Sequence, residues 1–309
     1  MFSRYVLHFR PIFFSQNALR LSSTSSSFKP IQKREIKKHY PVPPRLRYVN
    51  GYLKDFRDDR LILSILHFKD KYDIERKLRI ELLDENDIGL VGQYFTDVFM
   101  NNCSMVKALD GTYEEMARFF YDDIASKLPN KMSMIVKDDD KVVVYHILDK
   151  IERDNFDKYF TNGSHMDKPY LDFKDNYAED VKSDPFESIK ANRLAVALDA
   201  PFSQTLRFVP EHINCILYFE AVGIDKHYLN AGLFPELVRL MHKIAFGHGC
   251  EYGVVYSGAA KSSRISLNVW DHLFTFPYEK FKEDGKFVFD ALSDGAKGIV
   301  VTYKDFTKE

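Results

Sequence analysis

The run His212–Gly223 (HINCILYFEAVG) constrains this chain more than any other stretch. It has the length of a strand, it is mostly apolar, and Glu220 is its only carboxylate. Such a run suits a strand buried on both faces. After Ile224–Ala231 a helix is predicted from about Leu233 to Gly247, because Leu237, Leu240, Met241, Ile244 and Ala245 share one face. Pro235 falls in its first turn, where a missing N–H breaks no bond. Gly247 and Gly249 supply the stop. Tyr252–Tyr256 reads as the next strand. A strand, a turn, an amphipathic helix and a second strand in this order make the chain an α/β (α+β) protein.

The remaining sequence alternates in the same way. Lys77–Leu83 is a short alternating run that ends at Asp84-Glu85-Asn86-Asp87, an acidic helix start. Ile88, Val91, Tyr94, Phe95 and Val98 follow on one helical face. A second amphipathic helix is predicted over Glu114–Leu128. Met132–Val136 and Val142–Leu148, separated by Lys137-Asp138-Asp139-Asp140-Lys141, read as a hairpin with a charged turn. Residues 153–184 are polar and broken and read as an exposed loop, and Glu187–Leu198 as a helix. Lys261–Val269 is a short helix, Trp270–Tyr278 a strand, and Ile299–Tyr303 the strand that closes the sheet.

Composition bears on what lies outside this core. Residues 1–30 carry Arg4, Arg10, Arg20 and Lys29, no acid occurs before Glu35, and Ser22–Ser27 is rich in hydroxyls. That is the composition of a mitochondrial transit peptide, so a matrix location is expected, with the cytoplasm as the alternative. Residues 31–76, basic and then broken by Pro41, Pro43 and Pro44, read as an extension or linker. The globular domain is expected over 77–309. No stretch approaches the roughly 20 uncharged apolar residues of a membrane-spanning helix. Lys+Arg of 44 against Asp+Glu of 45 argues against a nucleic-acid binder. Cys103, Cys215 and Cys250 are odd in number and lack C-x-x-C spacing, which excludes a disulfide framework and a cysteine zinc site. No H-E-x-x-H pair occurs, so no metal is expected.

The order of elements resembles the GNAT superfamily of acyl-CoA-dependent N-acyltransferases. The segment Tyr278-Glu279-Lys280-Phe281-Lys282, followed by Asp284-Gly285-Lys286 and Phe287-Val288-Phe289, is similar to the end of its arylalkylamine (dopamine-type) branch. The likeness covers roughly residues 77–306. It implies a central mixed, mostly antiparallel twisted sheet of about seven strands flanked by helices. It also implies transfer of an acetyl group from acetyl-CoA to a small amine, with arylalkylamines as the class it points to. The family's phosphate loop, [RQ]-x-x-G-x-[GA], falls on His227-Tyr228-Leu229-Asn230-Ala231-Gly232, just ahead of Leu233. Backbone N–H groups aimed at a helix N-terminus suit a pyrophosphate, and Asn230 is the non-glycine residue that best tolerates positive φ. An ordinary strand–turn–helix would use Asn and Gly too. The resemblance places the backbone of Val222 and Ile224 against the pantetheine, with the strand splayed near Val222.

The catalytic positions depart from the family. Where the arylalkylamine branch has a Glu in a D-E-P-L segment, this chain has Cys103; where it has a helix-four serine, it has Lys261, with Ser257 at the preceding Thr. The superfamily's frequent tyrosine falls on Ile265, and the paired histidines of the vertebrate branch fall on Ile216 and Tyr218. Amide formation needs a base for the ammonium proton and an acid for the thiolate. Glu220 is the remaining carboxylate for the first role, or else a carboxylate paired with a neighbour. Tyr256 and Ser257 are the hydroxyls for the second, or else core. A protein of the same fold that binds acyl-CoA or a partner without turnover is the alternative reading.

Overall fold

A computed structural model of the chain describes residues 39–70, 72–229 and 233–308; the expected transit segment 1–30 lies outside them. The strands are β1 (Ile62–Lys69), β2 (Glu75–Leu82), β3 (Met134–Asp138), β4 (Lys141–Glu152), β5 (Cys215–Ile224), β6 (Tyr252–Ser257), β7 (Asp271–Pro277), β8 (Lys282–Glu283), β9 (Lys286–Phe287) and β10 (Gly298–Asp305). The helices are α1 (Ile88–Asn102), α2 (Ser104–Ala108), α3 (Tyr113–Lys127), α4 (Phe156–Tyr159), α5 (Ala178–Ser183), α6 (Ile189–Phe202), α7 (Leu233–Gly247) and α8 (Ala260–Val269).

Eight strands form one sheet in the order β1-β2-β3-β4-β5-β6-β10-β7, one more than expected, and β8 pairs with β9 apart from it. Every neighbouring pair in the sheet is antiparallel except β5 and β6. Those two are joined by α7, and a parallel pair needs such a crossover. Helices α1, α3 and α6 bury their apolar faces against one side of the sheet. Helix α7 covers the other with Leu237, Leu240, Met241 and Ala245. The acidic start read at Asp84–Asp87 is a capping box, with the Asp84 N–H donating to Asp87 Oδ2 at 3.0 Å and the Asn86 N–H to Asp84 Oδ1 at 2.9 Å.

The expected linker at 31–76 is corrected over its described part. Its residues 62–69 form an edge strand of the main sheet, and Leu53 is fully buried. Arg60 is the reason the approach to β1 is fixed. Its guanidinium reaches Asp55 at 2.6 Å, Asp87 at 2.6 Å and Glu81 at 3.1 Å, and buried Lys137 reaches Asp55 at 3.2 Å. The exposed loop expected at 153–184 is corrected as well. Phe156, Phe160 and Tyr177 are buried, and Tyr177 stacks on Phe281 at 4.7 Å. Among the described residues no helix is long and apolar enough to cross a membrane.

Candidate acyl-transfer site

The geometry follows from where β5 and β6 stop pairing. Their parallel ladder runs from Ile216↔Tyr252 to Phe219↔Val255, yet β5 continues to Ile224 and β6 to Ser257. Beyond Phe219 the facing edges carry no ladder to each other, so a wedge opens between them. The last laddered residue, Phe219, lies three residues before Val222, near which the splay was expected. Val222 and Ile224 pair only on the β4 side, with His146 and Val144, and their side chains pack toward α7. Their other backbone edge therefore faces the wedge, with donors and acceptors that the β5–β6 ladder does not use.

A bulge opposite Ile147 and Leu148 sets what lines that wedge. Ile147 pairs with Ala221 and Leu148 with Phe219, which leaves Glu220 as the extra residue. A bulge re-aims side chains: Phe219 faces the α7 core, whereas Ala221, two residues on, faces the α1–α3 core. Glu220 lies on the wall of this turn, with its side chain 14% exposed. Lys127 Nζ, at the last turn of α3, stands 3.1 Å from Glu220 Oε2 and also pairs with Asp123. Lys127 lies 5.6 Å over the Tyr218 ring. Burial, with Asp123 nearby, pushes the Glu220 carboxyl up, and Lys127 and Tyr218 reverse this only in part. Burial would depress the Lys127 ammonium, but Asp123 and Glu220 outweigh it and hold it above its ordinary value.

The other expected groups divide. Tyr256 is near Tyr218, edge to face at 5.6 Å, and its Oη hydrogen-bonds Thr205 Oγ1. Ser257 Oγ donates to Ser266 Oγ, in the second half of α8, at 3.2 Å. Both hydroxyls thus have partners. His227 is exposed, and its N–H donates to Asp225 Oδ1 at 2.9 Å; Leu233 is buried where α7 begins. Asn230, Ala231 and Gly232 lie outside the described residues. Cys103 sits between α1 and α2, and burial pushes its thiol up, which disfavours the thiolate a nucleophile needs.

Sequence reasoning missed Tyr145. It pairs across β4–β5 with Gly223, and a Cβ added at Gly223 would lie 2.4 Å from Tyr145 Cε1. Only glycine lets the ring lie over the β5 edge. The Tyr145 Oη is buried and has no hydrogen-bond partner among the described residues. Burial raises this phenol well above its ordinary value, and Tyr94, Cys103 and Glu220 all bear on it. Tyr94 meets its ring edge to face at 5.4 Å, and Phe95 lies tilted against it at 5.1 Å. One tyrosine within the aliphatic run Val142–Leu148 was the available signal. Glu220 and Cys103 thus both lie close enough to Tyr145 for their charge to bear on its hydroxyl.

No protein-family profile matches the chain, and no curated protein sequence matches it. Solved structures do. A yellow fever mosquito (Aedes aegypti) protein assigned as arylalkylamine N-acetyltransferase 7 is 16% identical, with TM-score 0.58 over 82% of this chain and 98% of that one. The polyamine N-acetyltransferase of Drosophila melanogaster, which forms N-acetylagmatine, is 12% identical, with TM-score 0.56 over 74% and 99%. The C-terminal condensation domain of Ebony, solved with β-alanyl-dopamine, is 13% identical, with TM-score 0.50 over 74% and 99%. At these identities the likeness is one of fold. The chain has the GNAT fold, in the form shared with these structures.

Proposed function

We propose that the protein is an acyl-CoA-dependent N-acetyltransferase that moves an acetyl group from acetyl-CoA to a small amine. The observation that carries this reading is the β5–β6 wedge, with Glu220 on its wall and, over its edge, the Tyr145 hydroxyl, which has no hydrogen-bond partner among the described residues. An orphaned buried hydroxyl beside a free strand edge fits a thioester, whose carbonyl and sulfur both accept hydrogen bonds. In this reading the edge of Val222 and Ile224 holds the pantetheine, and the backbone from His227 through Asn230, Ala231 and Gly232 to Leu233 holds the pyrophosphate. Glu220 takes the proton of the amine as the N–C bond forms. Tyr145 gives its proton to the sulfur as the C–S bond breaks. Tyr256 and Ser257, held by Thr205 and Ser266, shape the wall. Much of the acceleration comes from holding amine and thioester together.

The departure at Cys103 favours the second reading, acyl-CoA binding without turnover. Titrating acetyl-CoA into the wild type and into Gly232→Val tests the site both readings share. A β-branched residue there obstructs a ligand's approach to the backbone, so affinity falls more than about tenfold. Equal affinity in a folded variant removes the loop from the site. For residues 1–30 we propose mitochondrial import; Arg4, Arg10 and Arg20 changed together to Glu abolish it, and matrix delivery of that variant refutes it.

A further inference from the structure

Cys215 opens β5, and Cys250 follows the turn that ends α7. Gly249, at φ +72°, turns the chain so that Cys250 comes back beside the strand it left. The Glu251 N–H donates to Cys215 O at 2.9 Å and the Cys250 N–H to Ala245 O at 2.9 Å, which fixes the two backbones side by side. The thiols, both free, share a hydrogen bond of 3.5 Å. Both belong to the core under α7, whereas Cys103 packs on the opposite side of the sheet. Exposed Asn214 and Gly249 flank the pair, and the two cysteine residues keep 7% and 5% exposure.

We propose that Cys215 and Cys250 form a reversible oxidation site, at which a hydroperoxide converts the two thiols into a disulfide that covalently closes the β5–α7–β6 crossover. The pair is odd-cysteine arithmetic resolved by the fold, since residues far apart in sequence become neighbours. Cys215 is the attacking sulfur. Its hydrogen bond with Cys250 draws the Cys215 thiol below the ordinary value, against burial and with help from the Lys150 ammonium, while that pairing pushes Cys250 up. Thiolate, not thiol, attacks peroxide. In the first step the Cys215 thiolate takes one oxygen of the hydroperoxide, the O–O bond breaks, and an alcohol (water, for hydrogen peroxide) leaves once protonated. In the second, the Cys250 sulfur attacks the sulfenic sulfur, the S–O bond breaks, and water leaves with the Cys250 proton. Two thiols are oxidised and one hydroperoxide is reduced. The S–S bond of about 2.0 Å that results shortens a sulfur–sulfur contact of 3.5 Å that already exists. A dithiol reductant restores the pair.

The test exposes the folded full-length protein to a small excess of hydrogen peroxide, removes the peroxide, alkylates the remaining thiols in denaturant as the chain unfolds, and maps peptides by mass. The expected result is the loss of two hydrogens, a linked pair of peptides containing Cys215 and Cys250, alkylated Cys103, and full reversal by a dithiol reductant. In Cys250→Ser, Cys215 accumulates as the sulfenic acid and takes a sulfenic-specific label. Linkage through Cys103, over-oxidation without linkage, or three unchanged thiols overturns the proposal. The wild-type map decides this even where the variant fails to fold.

Discussion

Lys127 Nζ lies 3.1 Å from Glu220 Oε2, which ties the last turn of α3 to the bulge of β5. The pair is nearly buried, and a second carboxylate, Asp123, completes it. A buried ammonium among carboxylates is costly to leave unmatched on either side. The contact therefore does two things at once. It fixes the bulge that aims Glu220, and it holds the carboxylate form against the burial that opposes it.

Removing the cation separates these effects. In Lys127→Met the buried carboxylates lose their partner, and stability at neutral pH falls by about 3–5 kcal/mol. The Glu220 carboxyl, already raised, rises further without the ammonium. A base works only when deprotonated, so the acidic limb of the rate profile moves to higher pH. Urea unfolding and a pH–rate profile measure the two; an unmoved limb in a folded variant would sever Lys127 from the base.

Tyr145→Phe has opposite effects on stability and rate. The hydroxyl is buried without a partner among the described residues, a condition that costs about 1–3 kcal/mol. Its removal leaves stability unchanged or higher, yet slows acetyl transfer because the thiolate loses its proton donor. A variant both fully active and more stable would make Tyr145 a packing residue.

How much of this was legible in the sequence depends on the range of the contact. The capped start of α1 and the length of α7 follow from neighbours within one turn, and Asp84, Asp87 and Pro235 announce them. β1 is half-exposed and alternates poorly, so Ile62–Lys69 becomes a strand only by pairing with β2. Tyr177 is buried by Phe281, more than one hundred residues away, which no local pattern reveals. Glu220 was readable as the lone carboxylate of an apolar strand. Which way it points depends on a bulge opposite Ile147 and Leu148, and its partner Lys127 lies on another helix. Lys127 falls inside the helix predicted over Glu114–Leu128, where no local pattern singles it out.

His146 gives the fold an acid-sensitive point. Its ring is fully buried, neither ring nitrogen has a partner among the described residues, and burial pushes it down to about 3. The unfolded chain takes up that proton near 6.5, so the folded state binds fewer protons between those values. Stability is therefore intact above about pH 6.5 and is lost as the pH falls toward 3, by at most about 1.4 kcal/mol per unit. In His146→Leu that part of the slope disappears. Urea midpoints at pH 7 and pH 5 check it; equal slopes in both proteins would contradict it.

The most direct measurement is thiol release from acetyl-CoA with a panel of small amines, run on the wild type and on Glu220→Gln. Gln keeps the shape of the side chain and cannot take a proton. The account expects amine-dependent thiol release by the wild type, a loss of about 10²–10⁴-fold in the variant, and the same acetyl-CoA affinity in both. Full-rate transfer by Glu220→Gln would contradict the assignment of the base, and acetyl-CoA binding with no transfer to any amine by the wild type would contradict the enzyme.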